Sequence, residues 1–247
     1  MKALILAAGY GTRLYPLTHQ YPKPLLKIGK RPLIDFIIDK IKDLEQPNEI
    51  IVVTNQRFIK IFRKWLKTKK DIQNLSLVND LTKDYQHRRG AIGDIDFVIR
   101  KKQIKDDLLV IGADNLFEGN LKDFIYFAKK KSPYVTIGVY DIKDKNKASL
   151  YGVLKLDRFK QVVDFKEKPK HPFSNLVAMC LYYFPKESLA FIRRYLKENK
   201  DKKDALGFYI EWLSKKDKVY GFSFSKSWYD IGHHKIYQEA KEKYERR

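Results

Sequence analysis

The sequence predicts an α/β fold, a doubly wound and mostly parallel sheet that passes into a mixed sheet in its second half. Three observations carry that expectation. Short apolar runs alternate with segments of helical periodicity up to about residue 133, and strands separated by helices need crossover connections that make their neighbours parallel. From about residue 134, strand-like runs crowd together, as a mixed extension carrying a second lobe requires. Polar groups follow successive apolar runs, "GYGTR" after the first, "TN" after the second, "ND" after the third and "ADN" after the fourth. Open parallel sheets bind ligands outside the carboxyl ends of their strands, so these groups share one edge.

Taken in order, "KALILA" is a continuous apolar strand, and "LIDFIIDKIKDL" sets Ile34, Ile37, Ile38 and Ile41 on one helix face. "EIIVVTN" reads as a strand and "RFIKIFRKWLK" as a helix with Phe58, Phe62, Trp65 and Leu66 inward. "LSLVND" is a strand, "AIGDIDFVIRK" a helix and "DDLLVIGADN" a strand. Strands follow in "YVTIGVYDI", "YGVLKLD", "QVVDFKEKP" and "NLVAMCLYYF", and helices in "ESLAFIRRYL", "ALGFYIEWL" and "KIYQEAKEKYERR". No repeat and no Pro/Ser/Gly linker divides the chain, so residues 1–247 read as one domain with halves at about 1–133 and 134–232 and a C-terminal helix at 233–247.

A chain of 247 residues with 44% hydrophobic content and three Trp can bury a substantial core. Charged residues interrupt every apolar run before the roughly 20 residues that a membrane span needs, which excludes a helical membrane protein. Cys180 is the one cysteine, so no intramolecular disulfide forms, and "MKALILAAG" lacks the form of a secretion signal. A cytoplasmic location is expected. The net charge of +21 raises nucleic acid as a partner, but the basic runs "KKQIKDD", "AKKKSP" and "KENKDKKD" are scattered and lysine-rich and fall where exposed loops and helix faces are expected. They read as a solvated surface whose field draws in polyanionic small substrates.

Gly9 and Gly11 allow backbone N–H groups to approach an anion closely, and Arg13 and Lys23 supply charge for phosphate oxygens. The loop is neither a Walker loop, since GxxxxGK[ST] is absent, nor a dinucleotide-binding turn, since the third glycine is missing. His19, His87, His171, His233 and His234 have no metal-ligand or triad spacing, and His233 with His234 reads as a helix start. Trp228 reads as core packing beside a polar loop.

The string "LAAGYGTRLYPLT" followed by "PKPLLKIGKRP" resembles the signature of the sugar-1-phosphate nucleotidylyltransferases, the group that includes glucose-1-phosphate thymidylyltransferase. "VIGADNLF", "YGV", "FKEKP", "SNLVAMCLYYF" and "WYDIGHHKIYQEA" resemble the family's later blocks in the same order, over about residues 1–240. The resemblance implies a Rossmann-like sheet of the nucleotide-diphospho-sugar transferase type, with a nucleotide-binding first half and a mixed-sheet, sugar-binding second half. It implies that Gly9, Gly11, Thr12 and Arg13 line the triphosphate, with Arg13 opposite the departing pyrophosphate and Lys23 near the reacting centre. Asp114 and Asp230 match the acidic residues that hold Mg2+ in relatives, as suits a hard cation that is bound by one or two carboxylates plus phosphates. Gly152, Glu167, Lys168 and Asn175 match contacts to the sugar or its phosphate, and Asn79, Arg89 and Gly90 are candidates for the base.

The implied reaction joins an NTP and a sugar 1-phosphate into an NDP-sugar with release of pyrophosphate, with dTTP or UTP and a hexose 1-phosphate as the first choice. The attacking oxygen is already anionic, so positioning and charge neutralisation suffice. A cytidylyltransferase acting on a sugar phosphate or phosphocholine is the second reading. A catalytically silent homologue that binds nucleic acid or regulates another protein is the third, against which stand Gly11, Arg13, Lys23, Asp114 and Asp230. The sequence departs from the family pattern at Ala113, Cys180 and His233, where glycine, glycine and threonine are usual, which leaves the sugar open. A homo-oligomer is in keeping with the family, and no appended acyltransferase or helical-repeat domain is expected.

Overall fold

A computed structural model describes residues 1–44, 47–202 and 204–245. Strand β1 (Lys2–Leu6) leads into the glycine loop, and a two-stranded ribbon of β2 (Lys27–Ile28) and β3 (Arg31–Pro32) precedes helix α1 (Leu33–Lys42). There follow β4 (Glu49–Thr54), α2 (Ile59–Leu66), β5 (Leu75–Asn79), α3 (Ala91–Lys101), β6 (Leu108–Gly112) and β7 (Asn115–Phe117). Next come α4 (Leu121–Lys130), β8 (Val135–Asp141), α5 (Lys145–Ala148), β9 (Gly152–Leu156), β10 (Val162–Glu167) and β11 (Leu176–Phe184). The chain continues through α6 (Leu189–Glu198), α7 (Leu206–Leu213), β12 (Val219–Phe224), β13 (Trp228–Asp230) and α8 (His234–Glu245).

Two compact units interleave along the chain. The first comprises Met1–Arg89, Ile111–Glu118 and Ser227–Arg247, and the second Gly90–Val110 and Gly119–Lys226. Within the first, β1, β4 and β5 are parallel neighbours, and the Ala113 N–H donates to the Leu6 carbonyl at 3.0 Å, which ties the end of β6 to β1. The apolar runs of β1 and β4 are buried because helices follow them, as parallel strands require. Leu14, Leu26, Ile28, Leu33, Leu116, Ile231, Tyr237 and Ala240 form one buried cluster under the glycine loop, the β7–β13 ribbon and α8. Phe58, just before α2, and Ile59, Phe62 and Trp65 on it are the inward residues; Leu66 is half-buried, and Ile59 takes the place expected for it because it lies three residues from Phe62.

Within the second unit, β10 pairs β9 and β11 pairs β9 and β8 in antiparallel fashion, while β12 runs parallel to β8. This is the mixed sheet expected after residue 134. Helix α4 has the Asn120 side chain accepting the Lys122 N–H at its start, and it buries Leu121, Phe124, Ile125 and Ala128. The basic run "AKKKSP" begins in its last turn, with Lys129 and Lys130 exposed. No helix among the described residues is long and apolar enough to cross a membrane. Lys203 of "KENKDKKD" and the last two residues of the expected C-terminal helix, Arg246 and Arg247, lie outside the described residues.

Candidate active site

In the first unit the glycine loop is held from three sides. Gly11 has φ +63°, the left-handed region that a side chain enters only at a cost of about 1–2 kcal/mol, and it starts the tight turn Thr12–Leu14. The buried Thr18 hydroxyl donates to the Gly11 carbonyl at 2.7 Å, and a Cβ on Gly11 would come within 3.2 Å of the Thr18 side chain. Asn55, directly after β4, donates to the Ala8 carbonyl at 2.8 Å while its own oxygen accepts the Phe58 N–H at 3.0 Å. Tyr10 is buried, and its hydroxyl meets Thr82 Oγ1 at 3.2 Å, with Thr82 in turn bonded to the Asp80 carboxylate. Gly9, Thr12 and Arg13 stay exposed on this braced loop.

Asp114 and Asp230 are 116 positions apart in sequence yet neighbours in space. The antiparallel ribbon of β7 and β13 sets Asp230 opposite Asn115, and the Ile231 N–H donates to the Asp114 carbonyl at 3.0 Å. Trp228 Nε1 donates to Asn115 Oδ1 at 2.7 Å and fixes the ribbon from its side. Lys23 Nζ lies 2.6 Å from Asp114 Oδ2. A Cβ on Gly232 would lie 3.4 Å from the Arg13 guanidinium and 3.5 Å from Asp230 Oδ2, so Gly232 is the bare point over which these two charges stand. Arg13, Lys23, Asp114 and Asp230 are thus brought together.

Burial pushes the Asp114 carboxyl upward, but the Lys23 ammonium, its hydrogen bond and the Arg13 charge outweigh it and hold the group below the ordinary carboxylate range. Asp114 is therefore ionised at neutral pH. No cluster of three or more His, Cys, Asp or Glu exists among the described residues to cage a metal ion. Two hard carboxylates, Asp230 on the ribbon and Asp114 directly before it, beside two cations that suit phosphate, fit a small oxygen-loving cation completed by substrate phosphate and water.

The base candidates are less open. Asn79 donates to Gln56 Oε1 at 2.5 Å and accepts the Leu81 N–H at 2.9 Å, while Arg89 Nε donates to the Asp80 carbonyl at 2.8 Å. Gly90, in the second unit, is buried with φ +76° and precedes α3. Of the residues that depart from the family pattern, Ala113 is buried and tied to β1, Cys180 is a half-buried thiol on β11, and the His233 carbonyl accepts the Tyr237 N–H in the first turn of α8.

In the second unit, Gly152 stands opposite Glu167 in the β9–β10 register, and a Cβ there would come within 3.0 Å of Glu167 Oε2. Glu167 is 9% exposed, and among the described residues its carboxylate has a single partner, Lys168 Nζ at 3.9 Å. Lys168 has φ +44°, and its N–H donates to the Tyr151 carbonyl at 3.0 Å. Asn175 is exposed just before β11, where its carbonyl accepts the Ile142 N–H. The fold gathers Gly152, Glu167 and Lys168.

Burial pushes the Glu167 carboxyl up; Lys168 opposes this and the charge of Glu211 adds to it, and the pKa ends above its ordinary value. The folded protein thus keeps a proton that the unfolded chain has released, and stability falls as pH rises from the ordinary carboxylate range through the raised pKa. Glu167→Gln carries no such titration, so its melting temperature is expected to gain on that of the parent across that window. Parallel melting curves from pH 4 to 8 check it; a constant difference would contradict the raised pKa.

The sequence alone assigns no role to Thr18, Asn55, Tyr10 or Gly232. Thr18 and Tyr10 lie inside the quoted string and Asn55 inside "TN", so a signal existed, but only the fold shows that they brace the loop.

Comparisons with known proteins show the family and the fold. The nucleotidyl transferase family matches residues 2–247, and the chain belongs to that family. It is 29% identical over 237 residues to the bifunctional protein GlmU of Methanocaldococcus jannaschii, covering 94% of this chain and 51% of that protein. It is 30% identical over 250 residues to the glucose-1-phosphate adenylyltransferase of Thermosipho africanus, covering 93% and 58%. The chain therefore spans about half the length of the curated relatives it matches. The solved structure of UDP-glucose pyrophosphorylase complexed with UDP-glucose superposes with a TM-score of 0.83 at 21% identity, covering 99% of this chain and 98% of that one, and confirms the mostly parallel α/β fold.

Proposed function

We propose that the protein transfers a nucleoside monophosphate from an NTP to a sugar 1-phosphate, giving an NDP-sugar and pyrophosphate. The observation that carries this reading is the convergence of Arg13, Lys23, Asp114 and Asp230 beside the Gly11 turn. Two cations and two carboxylates at a braced glycine loop suit a triphosphate with its counter-cation, and they offer no nucleophile.

The first unit carries the NTP. Backbone N–H groups of the Gly9–Arg13 segment cradle the phosphates, and Arg13 stabilises the charge that builds on pyrophosphate as it departs. Lys23 neutralises the α-phosphate region. Asp114 and Asp230 would hold Mg2+, which would supply charge neutralisation on the phosphates. In the second unit, Glu167 accepts hydrogen bonds from hexose hydroxyls, and Lys168, with Gly152 beside the carboxylate, receives the rest of the sugar phosphate. The sugar phosphate oxygen is anionic on arrival, so no residue need take a proton.

Pyrophosphate release is the test. dTTP, UTP, CTP, GTP and ATP are each offered with Mg2+ and a panel of hexose 1-phosphates, with phosphocholine as a further acceptor. Release is expected with dTTP or UTP and one hexose 1-phosphate. Release with CTP and phosphocholine alone would replace the sugar, and silence throughout in a folded protein would refute the reading.

A further inference from the structure

Helix α7 presents Gly207 and Glu211, one turn apart, to a single strand residue. A Cβ on Gly207 would fall 1.7 Å from Glu167 Oε2 and 2.5 Å from its carboxyl carbon, so the Glu167 carboxylate occupies the space that any other residue at 207 would fill. Four residues on, Glu211 Oε2 accepts the Glu167 backbone N–H at 3.2 Å, while its other oxygen pairs with Lys166 Nζ at 2.9 Å. The carboxylate is thereby walled by two glycines, Gly207 on α7 and Gly152 on β9, and its backbone is pinned from the same helix. Hydrogen-only walls give a buried carboxylate no donor of their own, which leaves it for a ligand hydroxyl.

We propose that Gly207 and Glu211 are positioning residues for the sugar phosphate: α7 sets where the Glu167 carboxylate stands and so sets the affinity for the hexose. This rests on Glu167 being the hexose contact. Alanine is a better helix former than glycine, so Gly207→Ala disturbs α7 little and acts through Glu167.

The experiment measures KM for glucose 1-phosphate, or for the panel member that gives turnover, and KM for the NTP, with melting temperature alongside. Gly207→Ala is expected to raise the sugar KM by roughly tenfold to a hundredfold, the loss of a charge-assisted hydrogen bond, with the NTP KM within about twofold and the fold intact. In that background Glu167→Asp, which draws the carboxyl back by one methylene, is expected to add little further loss. Glu211→Ala should raise the sugar KM by about threefold to tenfold, and Glu211→Gln, which keeps an acceptor for the Glu167 N–H, should restore it. An unchanged sugar KM in both Gly207→Ala and Glu211→Ala, or equal rises in both KM values in Glu211→Ala, would overturn the inference. A parent enzyme whose sugar KM is unaffected by Glu167→Ala would sink the hexose assignment itself, and a parent without turnover the whole functional reading.

Discussion

Asp114→Asn is expected to lower kcat by on the order of 10³-fold, about 4 kcal/mol of transition-state stabilisation, in a protein that still folds. The substitution keeps the shape of the side chain and an oxygen facing Lys23, 2.6 Å away in the parent, and removes only the charge. That charge is present at neutral pH because Lys23 and Arg13 hold the carboxyl ionised against its burial. The pair adds stability above the ordinary carboxylate range and loses it as acid protonates Asp114 through its lowered pKa, a limb that the Asn variant lacks. Steady-state kinetics with the preferred substrate pair, together with melting curves at low and neutral pH, check both parts. Turnover within tenfold of the parent would remove Asp114 from the site.

Arg13→Ala is expected to lower kcat/KM for the NTP by roughly 10²-fold or more and to leave the KM for the sugar 1-phosphate nearly unchanged. Arg13 is exposed, and its guanidinium stands over Gly232 near Asp230 rather than in the core, so stability should move by less than about 1 kcal/mol. Arg13→Lys should recover only part of the loss, because an ammonium cannot bridge two phosphate oxygens as the planar guanidinium does. Kinetics at saturating sugar phosphate separate the two substrates, and equal losses for both would contradict the assignment of Arg13 to the triphosphate.

Much of the fold was legible because the residues that bury themselves do so at regular spacing. The strands at "KALILA" and "EIIVVTN" and the helix with Ile34, Ile37, Ile38 and Ile41 inward stand where periodicity puts them. Helix α4 is hard to see in the sequence although Asn120 caps it and Leu121, Phe124, Ile125 and Ala128 keep helical spacing, because its flanking lysines give the segment the character of a solvated surface. Strand β12 pairs with β8 and β13 with β7, partners far away in sequence, while β2 and β3 are two residues each and too short to show a period, so no local pattern marks them. The same holds at the site. "GYGTR", "ADN" and "WYDIG" announce their residues, but the adjacency of residues 114 and 230 depends on a ladder between strands more than 100 positions apart. Gly207 left no trace in the sequence, since its meaning is the carboxylate that sits where its side chain would be.

The proposed transfer predicts where each phosphorus atom goes. With an NTP labelled at the α-phosphorus and the sugar 1-phosphate selected by the pyrophosphate panel, all of the transferred label should appear in the NDP-sugar and none in the pyrophosphate, at equal rates of formation. Label left in unreacted nucleotide while the γ-phosphate moves to the sugar, or label held covalently on the protein, would contradict direct transfer at the Arg13, Lys23, Asp114 and Asp230 cluster.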